Sequence, residues 1–186
     1  MLHHAGTSEL YTQRLHLRPY RPGDETAMFR NWASDPEVTR FMTWEPHASP
    51  AVTKGLVDMW VEGYESPTVY RWGIEKDGEL VGDISVVRWN EEDAWCEIGY
   101  CLCRRLWGQG LMTEALSRVQ NYLFDTVGFH RIVLRHDSRN PASGRVMQKC
   151  GMTYEGTSRE CKLDRSGTWI DVCNYAILEG DRPQLP

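Results

Sequence analysis

Residues 105–116, Arg-Leu-Trp-Gly-Gln-Gly-Leu-Met-Thr-Glu-Ala-Leu, constrain the fold of this 186-residue chain more tightly than any other stretch. Gly108 and Gly110 end a strand-like run and open an amphipathic helix, so the backbone must turn a sharp corner there. Such a turn aims several bare N–H groups at one point, and the helix N-terminus adds partial positive charge. An anion with many oxygens, such as a pyrophosphate, is the natural guest; a glycine-rich corner without a ligand is the plainer reading of the glycines alone. Two phosphate loops are excluded. A nucleotide-triphosphatase loop needs Lys and Ser or Thr after its last glycine, where Leu111 and Met112 stand. A dinucleotide fingerprint needs a third small residue and an acid ending the next strand; Thr113 and the run before Asp137 supply neither.

The length predicts a single domain over 1–186, with its core at about 10–178. Net charge is −5 and no run of Lys or Arg forms a stripe, which argues against a nucleic-acid partner. No apolar run approaches the roughly 20 residues of a membrane span, so no membrane partner is expected. Met1 to Leu10 lacks the apolar stretch of a signal peptide, and the expected compartment is the cytoplasm. Without an export signal, the six cysteines read as buried free thiols, with no metal site. His3 and His4 read as a floppy terminus. A homodimer remains open.

Hydrophobic periodicity predicts a strand at 14–18, a helix from Asp24 as N-cap with Ala27, Met28 and Trp32 inward, and a helix over 50–62 with Val52, Leu56, Met59 and Trp60 in helical spacing. Strands follow at 70–75, 79–89 and 95–103, the first two joined by a turn at 76–78. A helix at about 110–127 presents Leu111, Ala115, Val119, Tyr122 and Thr126 on one face. A strand at 131–136 should run parallel to 95–103, because a helix joins them. Asn140 and Pro141 open another helix, ended by Gly151, and two strands near 153–163 and 168–178 complete the chain. The order βααβββαβαββ describes a mixed α/β sheet.

This order, with Trp107-Gly-Gln-Gly at its middle, resembles the GNAT superfamily of acetyl-CoA-dependent N-acetyltransferases, most of all its RimJ/RimL branch of ribosomal-protein N-terminal acetyltransferases. The resemblance spans about 10–178. It is carried by Arg14-Leu-His-Leu-Arg18, Glu97-Ile-Gly-Tyr100, the glycine loop, Asn140 with Ser143, Lys149 with Gly151, and Tyr154-Glu-Gly156. It implies a GNAT-like sheet with splayed central parallel strands. It also implies that backbone amides of Gly108, Gln109, Gly110, Leu111, Met112 and Thr113 hold the pyrophosphate of acetyl-CoA, the co-substrate. A second register of the loop, from Arg105 to Gly110, fits the family pattern literally. Tyr100, Cys101 and Leu102 would pair with the pantetheine arm, and Asn140 would reach it from the opposite wall; a plain helix cap explains Asn140 equally well.

Amide formation needs a neutral amine and a proton for the leaving thiolate. Glu97, a carboxylate on an otherwise apolar strand, is the candidate base, or else it pairs with a neighbouring arginine such as Arg71 or Arg88. By the resemblance, Ser143 is the proton donor, unless its hydroxyl caps a free N–H. Met147 stands where many relatives carry a tyrosine, and Lys162 where the ribosomal enzymes can use a glutamate. His136 is an alternative base. Trp44 and His47 either shape the acceptor pocket or form a packing plug; Asp171 and Tyr175 are placed in the same cleft. The expected function is acetyl transfer to a primary amine acceptor, a protein N-terminal α-amino group foremost. A small amine (polyamine, amino acid or antibiotic) and a non-catalytic CoA-binding regulator are the alternatives.

Overall fold

Alternation of apolar and polar residues along the strands is realised as one eight-stranded mixed sheet, in the order β1-β2-β3-β4-β5-β6-β8-β7. The structure is a computed structural model, and it describes residues 1–182. The strands are β1 (Leu10–Tyr11), β2 (His16–Arg18), β3 (Arg71–Lys76), β4 (Glu79–Asn90), β5 (Trp95–Leu102), β6 (Arg131–Asp137), β7 (Thr153–Leu163) and β8 (Trp169–Leu178). The helices are α1 (Asp24–Met28), α2 (Pro36–Thr39), α3 (Pro50–Gly63), α4 (Leu111–Tyr122) and α5 (Pro141–Lys149). The expected order therefore holds with two additions, β1 and α2. The second has a local cause: Asp35 accepts from the Glu37 N–H at 2.9 Å while Pro36 takes the first helical position.

β5 and β6 are parallel, as their helical connection requires, but they pair only from Trp95↔Arg131 to Glu97↔Val133. Beyond that level β5 stays on β4 as far as Leu102 and β6 stays on β8 as far as Asp137, so the two strands part. A bulge in β4 between Val86 and Arg88 sits opposite Glu97, where the parting begins. Bulges increase local twist, which turns β5 away from β6 at that level.

The two faces of the sheet differ in chemistry. Toward α4 and α5 it presents Leu17, Trp72, Ile74, Ile84 and Ile98, all buried, with Tyr122 of α4 edge-on to Trp72 at 5.7 Å. Toward α1 and α3 it presents ion pairs: Arg18 with Asp24 and Glu75, and Arg71 with Asp83. Close packing between β4 and β5 depends on Gly82, where an added Cβ would lie 2.6 Å from the Cys101 carbonyl oxygen. Gly82→Ala is expected to cost about 2–3 kcal/mol. Thermal denaturation should show it as a melting temperature lower by roughly 4–12 °C.

Several local expectations are corrected. Asp24 is the first residue of α1 rather than its cap; Gly23, at φ 101°, takes the cap position, because the Asp24 carboxylate is drawn to buried Arg18. The helix read as 110–127 is α4 followed by a π-helical turn, Leu123–Val127. The wider turn rotates Thr126 to solvent and buries Leu123, Phe124 and Val127. On α3, Leu56 and Trp60 pack against the core as expected, but Thr53 and Val57 are the buried residues and Val52 and Met59 are exposed, since the inward stripe is rotated from the expected one. The N-terminus is tied down: His4 bonds the Tyr70 hydroxyl at 2.7 Å and Glu91 at 2.9 Å, and Leu2 is buried. All six cysteines are free thiols, but Cys161 is exposed and Cys173 half-buried, on the outer strands β7 and β8.

Candidate active site

The strand-to-helix corner is built by two residues in left-handed conformation, Gly108 and Gly110, each at φ 76°. Gly110 is the N-cap of α4, and the first bond into it is Glu114 N–H to the Gly110 carbonyl at 3.1 Å. The N–H groups of 108–113 have no partner among the described residues. Two side chains hold the loop in this shape. Trp107 Nε1 donates to the Leu102 carbonyl at 2.7 Å. Arg14 donates through Nη1 to the Gln109 carbonyl at 3.0 Å and through Nε to Glu114 at 2.7 Å. In a trans peptide C=O and N–H point in opposite directions, so fixing the Gln109 carbonyl on Arg14 aims the Gly110 N–H the other way. Arg14 enters the sequence reading only as part of a strand signature; its partners lie nearly one hundred positions away, and no local pattern marks it.

Along β5 the Cys103 N–H donates to Val81 of β4 at 2.8 Å. By strand alternation the peptide groups of Cys101 also face β4, and those of Ile98, Tyr100 and Leu102 face the gap beside β6. The Leu102 carbonyl is the one taken by Trp107. Across the gap, Asn140 caps α5, its side chain accepting from the Ser143 N–H at 3.4 Å. The side-chain amide nitrogen of Asn140, Nδ2, has no partner among the described residues, so capping leaves that donor free.

With its N–H capped by Asn140, Ser143 directs its hydroxyl to the Tyr100 hydroxyl at 2.9 Å. Burial pushes the Tyr100 phenol above its ordinary pKa, against a smaller lowering by the Ser143 bond, so it keeps its proton at neutral pH. The side chain of Tyr100 thus joins a hydroxyl pair that sequence reading left out, although a polar ring on the apolar side of β5 is the signal for it. Met147 is buried in the core. His136 packs against α5 at Gly144, where an added Cβ would lie 2.7 Å from Nε2.

Glu97 stands on the opposite face of the sheet from Tyr100, at the point where the strands part. Buried at 7% exposure, it accepts from Arg88 Nε and, at 2.9 Å, from Arg135 Nε. Arg71 pairs with Asp83 instead. Each Glu97 oxygen takes one guanidinium donor and keeps a second lone pair. Trp44 and His47 lie together, ring centroids 5.3 Å apart, with His47 Nδ1 on Thr53 at 2.7 Å. Burial holds the His47 imidazole below its ordinary pKa. Arg165, in the turn between β7 and β8, ties this loop down through the Trp44 carbonyl at 2.9 Å and Glu45 at 2.8 Å. Asp171 and Tyr175 do not join them. Asp171 accepts from the Glu160 N–H at 2.8 Å, and Tyr175 stacks on His136 under α5.

A parted parallel pair beside a glycine corner defines a class, and comparison with known proteins agrees. The profile of the Acetyltransferase (GNAT) domain matches residues 14–153. The uncharacterized N-acetyltransferase YoaA of Bacillus subtilis is 31% identical over 172 residues, covering 91% of this chain and 96% of its own. The [ribosomal protein uS5]-alanine N-acetyltransferase of Escherichia coli is 27% identical over 181 residues, covering 92% and 91%. The crystal structure of a GNAT-family acetyltransferase from Bacillus anthracis superposes with a TM-score of 0.81 at 26% identity, covering 93% of this chain and 99% of that one. The chain belongs to the GNAT family of acetyltransferases. It is an N-acetyltransferase whose relatives include, at modest identity, the ribosomal-protein enzymes.

Proposed function

We propose that this protein transfers acetyl from acetyl-CoA directly to a primary amine, and that the foremost acceptor is a protein N-terminal α-amino group. The observation that carries the reading is the row of unpartnered N–H groups at 108–113 beside the gap between β5 and β6. The loop amides bind the pyrophosphate, the inward peptide groups of β5 pair with the pantetheine, and the free amide donor of Asn140 meets it from α5. Glu97 accepts the proton of the attacking amine through a water. Ser143, supported by the Tyr100 hydroxyl, supplies the proton that the departing thiolate takes as the C–S bond breaks. An α-amine, with a free pKa near 8, asks less of such a base than a lysine near 10.4.

Release of coenzyme A thiol across a panel of N-terminal peptides and small amines tests the reading. Turnover of none of them, with acetyl-CoA bound, refutes it. Glu97→Gln is expected to lower kcat about 100-fold, because the amide cannot take a proton, with acetyl-CoA affinity kept within about threefold. Arg14→Ala is expected to weaken acetyl-CoA about tenfold by calorimetric titration. It releases the Gln109 carbonyl and with it the aim of roughly one phosphate hydrogen bond.

A further inference from the structure

A groove of about 410 Å³ opens on the α1 and α3 side of the sheet, with Trp60, Arg71, Val87 and Arg88 among its lining. Its lining comes mainly from α3, β3 and β4, and β5 is the next strand toward the gap. Arg71 lies across from Ser85, which lies across from Gly99, and a Cβ on Gly99 would sit 3.1 Å from Val87 Cγ1. Two strand spacings, roughly 10 Å, therefore separate the backbone of Arg71 from that of Gly99, just past the point where β5 leaves β6.

The arginines in this groove are held in place with donors to spare. Arg71 spends Nη1 on Asp83, at 2.9 Å, and its guanidinium lies 4.0 Å over the Trp60 ring. Asp83 is itself fixed by the Tyr20 hydroxyl at 3.1 Å. Arg71 Nε and Nη2 have no partner among the described residues. Arg88 spends Nε on Glu97 and likewise keeps both terminal nitrogens. A largely buried ion pair is no more stabilising than well-packed apolar residues of similar volume, so a fold alone gives no reason to keep one. A planar fork braced on an aromatic face beside a second arginine matches an oxyanion. A polycation would meet repulsion there.

We infer that this groove is an anion subsite of the acceptor: the amine substrate carries a carboxylate or phosphate on the part that extends from the gap over β4. The inference rests on the acetyltransferase reading of the gap and names the acceptor's chemistry within it.

Matched acceptors test it with the intact enzyme: N-terminal peptides with glutamate or glutamine at the third position, an aminoalkyl phosphate with its parent amino alcohol, and spermidine. In the wild type, the anionic member of at least one pair should exceed its neutral partner about tenfold in kcat/KM, the effect of one charge-assisted contact. Spermidine should be poorest. The ratio should fall toward one in Arg71→Lys, which keeps the charge beside Asp83 but loses the fork, and in Arg88→Gln, where the ratio within a pair is the readout because the change also takes one donor from Glu97 and lowers the rate with both members. Equal use of both members of every pair, a preference for spermidine, or a ratio unchanged in both variants overturns the subsite and leaves the acetyltransferase reading standing. Absence of turnover with every acceptor overturns both.

Discussion

Gly110→Val is expected to weaken acetyl-CoA binding by about 100-fold or more, measured by calorimetric titration, with the melting temperature little changed. The space for a side chain exists, since an added Cβ would meet only Arg14 Nη2, at an ordinary 3.7 Å. The backbone is the obstacle. Gly110 holds φ 76° and ψ 3° at the cap of α4, and left-handed geometry costs an L-residue roughly 1–2 kcal/mol, with β-branched side chains worst placed. The loop escapes that strain by rotating the peptides on either side, which turns their N–H groups off the phosphate. Losing two charge-assisted hydrogen bonds, about 1.5 kcal/mol each at the low end, gives the 100-fold figure. Gly110→Ala should show a smaller loss of the same kind. Unaltered binding in the valine variant would detach the loop from the pyrophosphate.

Ser143→Ala carries the second large effect. Removing the proposed proton donor is expected to lower kcat by about 100-fold while the KM for acetyl-CoA moves less than about threefold. Tyr100→Phe should cost roughly tenfold, since it leaves the Ser143 hydroxyl in place but unsupported across 2.9 Å. Because the two hydroxyls are bonded to each other, the proposed shared role predicts a double variant little worse than Ser143→Ala alone. Additive losses would mean that the pair does not share the proton. Acetyl donors with better leaving groups, such as acetyl thioesters of more acidic thiols, should partly rescue Ser143→Ala, which a merely structural defect would not allow.

Much of this architecture is legible locally. The alternation along 95–102, the cap at Asn140 with Pro141, and the left-handed glycine after α5 each depend on neighbours within a few positions. Departures from expectation occur where a tertiary partner outweighs a local preference. Asp24 gives up the cap because Arg18 is buried and needs a carboxylate. Thr126 leaves its face because a π-helical turn shifts the phase by one residue. On α3 hydrophobic spacing finds Leu56 and Trp60, while the sheet beneath the helix decides that Thr53 and Val57 are buried in place of Val52 and Met59.

The amino-acid sequence alone determined the order of elements, the strand-to-helix corner at 108–113 and the presence of a carboxylate on β5, because periodicity and glycine placement are properties of adjacent residues. Tertiary structure decided what those parts do together. The pairing of Glu97 with Arg88 and Arg135 exists only once β4, β5 and β6 are in register. The Arg14 brace and the Tyr100–Ser143 hydroxyl pair likewise join residues 95 and 43 positions apart. Directional bonds over such separations depend on the global path of the chain, which no short window of residues encodes.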